Sequence, residues 1–430
     1  MEKNIPKVLN AWVLYDWANS VYSLVITATL FPIYYNTIAQ QAGVGAEVLG
    51  LSLQAVYSFS ISISFILVII LSPILSSIAD AMGNKKLFLR IFSTVGSVSC
   101  IALYFFQSPE SIYWGLLCSI LASLGFWGSL VFYNSYLPDI ATEDRHDDLS
   151  AKGYSLGYLG GTVLLIICLA LVFLHDKIHL SEPEAYRICF VLVGLWWISF
   201  AQYTLTVLPK GLKNEDEVID KDIIKESFKE LYIVQKELFN NANIKNFLLG
   251  FFFYSVGVQT IFYLAIPFGT HDLKIPAIRL ILTVLGMQIL AIIGAVFYAK
   301  LSDKKGNKFA LQAAIVLWMV ACVFGFFIRP EDSNAQIYFY ILAGMVSLVM
   351  GGIQSLSRST YSKLLPETTD TTIYFSFFDV LEKIAIVVGT STIGVLIEQY
   401  GEMRYGVLSM AFFFLLGFFC ISRFQKKSKE

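Results

Sequence analysis

Asp16 sits nine residues beyond Lys7, in a stretch that is otherwise apolar and aromatic. At 1.5 Å per residue that is about 13 Å along a helix. An ionised group at the centre of a hydrocarbon layer costs at least about 2.5–3.5 kcal/mol, so it must be paired, face water or carry function. Asn19 and Tyr22 follow at i+3 and i+6 and roughly share its helical face, with Trp17 beside them. A carboxylate, an amide and a phenol on one stripe suit the ammonium of a zwitterion or a proton relay; the alternative is a structural carboxylate bonded to another helix. Asp379, Glu382 and Lys383 form a second group. Asp379 and Lys383 are i, i+4 neighbours that can neutralise one another, and Glu382 lies on a nearby face. They read either as an interhelical lock or as a gate that re-pairs, or part of an anion site. Arg358 follows the flexible pair Gly351-Gly352 and carries a donor fork that fits a carboxylate. It holds a substrate carboxylate if it faces a cavity and is an ordinary anchor if it faces the cytoplasm.

Other chemistries find little support. His175 and His179 have helical spacing, but no third ligand accompanies them, so no metal is expected. No GxxxxGK[ST] loop occurs, so no nucleotide is expected as driver and no cofactor is assigned. No Ser-His-Asp or two-carboxylate arrangement stands out, and the chain is not read as an enzyme. Six cysteines, Cys100, Cys118, Cys168, Cys189, Cys322 and Cys420, lie in apolar runs without a CxxC pair and read as packing residues.

The elements that must position these groups follow from composition. Of 430 residues, 56% are hydrophobic and only 15% charged, against about 25% charged in an ordinary soluble domain. A net charge of −1 argues against a nucleic-acid partner. Twelve apolar stretches run over 11–37, 50–78, 87–106, 111–135, 153–174, 187–208, 246–268, 279–299, 309–328, 336–357, 373–397 and 404–422. A lipid core about 30 Å thick needs roughly 20 residues per helix, and backbone polar groups in lipid must bond internally. No cleavable leader is expected, because Met1 to Asn10 is short and polar and the first apolar run carries Asp16. With the N-terminus inside, 24 of the 31 basic residues fall in inner segments, among them Lys213, Lys221, Lys426, Lys427 and Lys429, and 6 in outer ones. That bias puts both termini in the cytoplasm. The longest polar stretch, 209–245, divides six spans from six. Within it Ile224, Phe228, Leu231 and Leu238 form one face, with Asp222, Lys225, Glu226, Lys229 and Glu230 on the others. It reads as an amphipathic helix along the cytoplasmic surface.

A short motif recurs. Asp80, Gly83 and Lys86 stand in the turn after the second span; Asp303 and Gly306 stand 223 positions after Asp80 and Gly83, in the turn after the eighth, with Lys308 following them. Glycine allows the backbone reversal, the lysines anchor the turn inside, and each carboxylate can meet a helix N-terminus. Asp139, behind Pro138 at the end of the fourth span, reads as a gate partner of basic loop residues.

Two six-span halves with a D-x-x-G-x-[K/R] turn after the second span of each resemble the major facilitator superfamily, with Ser76 and Ala299 where the pattern places a glycine. Five further segments are similar to one branch, the autophagy-related vacuole effluxers and their bacterial relatives. They are Tyr15-Asp16-Trp17-Ala18-Asn19-Ser20, Tyr133 to Asp139, Gly153 to Gly161, Gly351 to Ser359, and Lys383. Val256 and Gly389-Thr390 depart from the branch, which often has an acidic residue and Gly-Pro there. The resemblance implies small-solute transport, amino-acid efflux being the activity attached to fungal members. It also implies that Tyr133, Asn134, Gln259 and Gln354 line a central cavity.

The expected fold is an all-α membrane protein with twelve transmembrane helices in two pseudo-symmetric six-helix bundles, 1–208 and 246–430, joined by the linker 209–245. The expected function is secondary transport of a small solute, an amino acid or similar, by alternating access, with Asp16 the leading proton acceptor. The expected partners are that solute, the lipid bilayer and protons, with no nucleic acid, and the chain is taken as a monomer in the cell (inner) membrane. The other readings are a non-transporting sensor or scaffold on a transporter fold and, behind it, a membrane-embedded enzyme.

Overall fold

The computed structural model describes residues 2–41, 43, 47–48, 51–211, 223–329 and 331–424. Lys213, Lys221, Asp222, Lys426, Lys427 and Lys429 lie outside the described residues. Among those described, twelve helices are long and apolar enough to cross a membrane. They are Pro6–Gln41, Ala55–Met82, Lys85–Phe105, Pro109–Ile140, Glu143–Phe173, Glu182–Val207, Ala242–Phe262, Ile278–Lys305, Asn307–Phe327, Ala335–Leu364, Thr371–Tyr400 and Met403–Arg423, taken below as spans one to twelve. A two-residue antiparallel pair, Glu47–Val48 with Leu51–Ser52, joins spans one and two.

Local sequence explains where the helices begin and turn. Ser181 caps span six: its hydroxyl accepts from the Glu184 N–H, and the Glu184 carboxylate accepts from the Ser181 N–H at 3.0 Å. Gly83 ends span two at φ +60, a left-handed conformation that glycine adopts without steric cost. In span one the hydrogen-bond ladder widens to i→i+5 over Tyr22–Leu30, a geometry often found near functional sites.

The described residues gather into two compact units. One draws on Met1–Ile140, Leu156–Glu230 and Thr368–Ser376; the other on Ala141–Ser155, Leu231–Glu367 and Phe377–Glu430. In the first unit, span one packs on six, two on four, three on four and three on six. In the second, seven packs on twelve, eight on ten, nine on ten and nine on twelve. The same pairings recur six spans later, so each unit solves the same packing problem. Close approach relies on small residues: a side chain at Gly351 would meet the Ala291 carbonyl oxygen at 2.1 Å.

The linker forms a helix, Ile223–Asn240. Its buried stripe runs through Ser227, Val234 and Leu238, with Leu231 half-buried, whereas Phe228 is 41% exposed. Phe228 therefore leaves the face that hydropathy alone assigned to it. Ser227, one position back, holds the stripe at the 3.6-residue period because a small residue permits closer contact than a phenylalanine.

Candidate functional site

In the first unit the acid is buried and held. Asp16 is 5% exposed, ten residues into span one, and accepts a hydrogen bond of 2.8 Å from the Tyr133 hydroxyl on span four. Tyr133 is itself fixed. Its carbonyl accepts from Trp12 Nε1 at 2.9 Å, the Trp12 ring stacks on its ring with centroids 4.7 Å apart, and Tyr15 lies at 4.8 Å. The Tyr15 hydroxyl pairs with Ser93 at 2.7 Å. Asn19 is buried, and its Nδ2 has no partner among the described residues. Trp17 points elsewhere: its ring lies 5.2 Å from Trp196 and edge-on to Phe200. Tyr22 packs on Phe126 and Trp197. The glycines of span five receive this segment, since a side chain at Gly157 would meet Ser20 Oγ at 2.4 Å and one at Gly160 the Trp17 carbonyl oxygen at 2.8 Å. Two segments that the sequence singled out separately are thus packing partners.

In the second unit the cationic group is deeper still. Lys383 is twelve residues into the 30-residue span eleven, about 18 Å along it, and wholly buried. Its Nζ donates to Asp379 Oδ1 at 2.8 Å and to Glu382 Oε2 at 3.1 Å. Gln259 on span seven donates from Nε2 to Glu382 Oε1 at 2.7 Å. Asp379 Oδ2 is buried without a hydrogen-bond partner among the described residues. One cation faces two carboxylates, so with all three ionised the cluster carries one negative charge in excess. Beside it the Tyr254 hydroxyl pairs with Ser357 at 2.7 Å. Gly389 of span eleven lies against span seven where a side chain would meet the Val256 carbonyl oxygen at 2.8 Å.

The repeated turns are used unequally. Asp80 is buried and accepts from the backbone N–H groups of Thr372 and Ile373, at 3.3 and 2.9 Å, in the first turn of span eleven. There the helix dipole favours an anion. Lys86 donates to the carbonyls of Thr206 and Leu208. The neighbouring Lys85 pairs with Asp139 and also reaches the Ser135 carbonyl and the Thr371 hydroxyl. In the second copy Asp303 is exposed, Gly306 turns at φ +87, and Lys308 donates to the Ser422 carbonyl at 2.6 Å. The buried carboxylate here is Asp147, in the first turn of span five. It accepts from Ser302 at 2.8 Å, Asn307 Nδ2 at 2.9 Å and Lys363 Nζ at 2.6 Å. Asp147, Lys363 and Lys85 were missed as site residues. The signal available for Asp147 was its place in an acidic first turn, shared with the half-buried Asp148, partner of Lys152.

Arg358 lies within span ten, not beyond it, and is 3% exposed. Its Nε donates to Ser150 Oγ at 2.9 Å, Nη2 donates to the Ser150 carbonyl at 3.0 Å, and the guanidinium stands 4.3 Å over the Tyr154 ring. Asn134 and Gln354 are both half-buried on spans four and ten.

Comparison with known proteins identifies the family and the fold. The family described as "Vacuole effluxer Atg22 like" matches residues 4–430. An uncharacterized MFS-type transporter, YxiO of Bacillus subtilis (strain 168), is 33% identical over 97% of this chain and 94% of its own length. Autophagy-related protein 22 of Saccharomyces cerevisiae (strain ATCC 204508 / S288c) is 24% identical over 96% of this chain and 90% of its own. Among solved structures, the proton:xylose symporter XylE superposes with a TM-score of 0.74 at 13% identity, covering 99% of this chain and 96% of that one. The E. coli fucose:proton symporter FucP gives 0.69 at 14% identity, covering 98% of each. The fold is that of the major facilitator superfamily, and the Bacillus subtilis relative is described as a transporter of that type.

Proposed function

Because the chain belongs to the Atg22-like vacuole effluxer family, with an MFS-type transporter fold in a multi-pass membrane protein, we propose that it is a secondary transporter for a small amine-bearing solute, an amino acid or similar. It works by alternating access, with protons as the coupling ion. The observation that carries this reading is the Lys383 cluster, with two carboxylates on one buried cation and one carboxylate oxygen of Asp379 unpartnered among the described residues. A buried polar atom left without a partner costs about 1–3 kcal/mol, more when charged. A proton on Asp379 or the ammonium group of a solute would supply both the missing donor and the balancing charge. Lys383 in turn offers a cation to a solute carboxylate, so a zwitterion suits the pair. Asp16, with Tyr133 as its donor, is the proton acceptor of the first unit. Arg358 is engaged by Ser150 and Tyr154, and this reading makes it a positioning group for span five. The inner-side excess of lysine and arginine supports a cell (inner) membrane location with both termini in the cytoplasm.

A thermal-shift screen on the detergent-purified full chain tests the solute class. Amino acids, dipeptides, sugars and nucleosides are each added at millimolar concentration. A ligand at 100 times its Kd stabilises the folded state by about 2.7 kcal/mol. The expected result is a shift with one or more amino acids that Asp379→Asn abolishes. A shift with sugars alone, unchanged in that variant, overturns the reading.

A further inference from the structure

Outside the polar clusters, the second unit carries a groove of about 330 Å³ between spans eight and ten. That falls within the range of about 300–1,000 Å³ found for small-molecule sites. Its walls are Leu282, Met287 and Leu290, and its floor is cut by Gly286 and Gly344. A side chain built at Gly286 would meet nothing within 4 Å. Thr283 adds no free polarity, since its hydroxyl donates to the Arg279 carbonyl at 2.7 Å. The groove faces outward: Leu282 is 59% exposed and the neighbouring Ile289 57%. From Arg279 to Leu290 it runs eleven residues along span eight, about 16 Å, or about half of a hydrocarbon core some 30 Å thick. Its length is therefore that of one leaflet.

The mouth is charged. Arg279 stands at the start of span eight, the second residue of a helix long and apolar enough to cross a membrane, and a spanning helix of that kind ends near the headgroups. Its Nη1 donates to Gln336 Oε1 at 2.8 Å, and Gln336 Nε2 donates to the Tyr340 hydroxyl at 2.5 Å. Tyr340 accepts in that contact and keeps its own proton to donate. Among the described residues no carboxylate lies within 4.0 Å of the Arg279 guanidinium. A guanidinium fork with unused N–H donors, a phenol proton beside it and an apolar trough below together complement a phosphate ester bearing an acyl chain. We infer that this groove is a binding site for an anionic phospholipid, its phosphate on Arg279 and Tyr340 and one acyl chain lying over Gly286 and Gly344.

Native mass spectrometry of the detergent-purified full chain, titrated with dioleoyl phosphatidylglycerol, phosphatidylcholine of the same chains, or glycerol phosphate, reads the site directly. The expected result is one retained phosphatidylglycerol, bound about tenfold more tightly than phosphatidylcholine, the ratio that 1.4 kcal/mol represents, and no retained glycerol phosphate. Arg279→Gln should erase the preference between the two lipids. A Cβ at Gly286 meets nothing within 4 Å, so Gly286→Leu is expected to fold, which a wild-type thermal unfolding midpoint checks, and it should weaken both lipids. Unchanged lipid affinity in both variants overturns the site, and so does retention of glycerol phosphate as tight as that of the lipid. The readout is binding and does not depend on transport.

Discussion

Lys383 and Asp379 stand one helical turn apart on span eleven and meet at 2.8 Å, with the lysine wholly buried and the carboxylate nearly so. Glu382 adds a second carboxylate at 3.1 Å. Removing one member of a buried ion pair costs about 3–5 kcal/mol, because the other charge is left uncompensated. Lys383→Met should therefore lower thermal stability by about that much, as read by thermal unfolding in detergent. The triple change with Asp379→Asn and Glu382→Gln should recover much of the loss. Equal unfolding of the single and triple variants would contradict the pairing.

Tyr133 donates to Asp16 at 2.8 Å within a packed aromatic setting. A hydrogen bond to a charged group contributes about 1.5–3 kcal/mol, and Tyr133→Phe keeps the ring while deleting the donor. We predict a stability loss of that size and an altered pH profile of uptake. Asp16→Asn should abolish pH-dependent uptake altogether. Full retention of that pH dependence in Asp16→Asn removes Asp16 from proton coupling.

Asp147 gathers Ser302, Asn307 and Lys363 onto one carboxylate. Residues in direct contact couple by about 0.5–3 kcal/mol in a double-mutant cycle. Asp147→Asn, Lys363→Met and the pair, measured by thermal unfolding, should give a coupling energy in that range. Strict additivity would show that the contact holds nothing together.

Glu230 lies on the linker helix, outside the spans, where it accepts from the Ser77 hydroxyl. Burial pushes its carboxyl above the ordinary range, and nearby Asp370 and Glu226 push the same way against the Ser77 hydrogen bond. A carboxyl raised in the folded state contributes stability that is full below its unfolded value of about 4.3 and lost as pH rises through the raised folded value. Hydrogen exchange in 223–240, corrected for intrinsic rates, should show less protection at pH 8 than at pH 4.5, and Glu230→Gln should flatten the difference. A pH-independent wild type would contradict this.

Much of the architecture is legible because lipid imposes a simple rule: a spanning helix must be long, apolar and internally bonded. That rule locates all twelve spans from hydropathy alone; the helix at Ile223–Asn240 follows instead from its amphipathic period. It fails at the ends of helices, where polar residues continue the turn under tertiary contacts. Span ten runs on to Leu364 and buries Arg358 against Ser150 and Tyr154, a contact between residues 208 apart in the chain that no local pattern announces. The repeated turn is visible as Asp80 and Asp303, but the second copy exposes Asp303 and uses Asp147, a carboxylate from another span, in a pocket of polar groups. Likewise the spacing of Asp379 and Lys383 reveals their pairing, while the hydrogen bond from Gln259 requires span seven to pack beside span eleven. Periodicity reports what lies on one helix. Partners contributed by a second helix depend on packing.

The central claim is that a solute crosses by way of the Lys383 cluster. Purified protein in proteoliposomes, loaded at one pH and diluted into another, measures this with labelled amino acids. The prediction is uptake that follows the proton gradient in the wild type and falls at least about tenfold in Asp379→Asn, a loss of roughly 1.4 kcal/mol or more of transition-state stabilisation. Wild-type rates in Asp379→Asn, or no movement of any amino acid under either gradient, would contradict it.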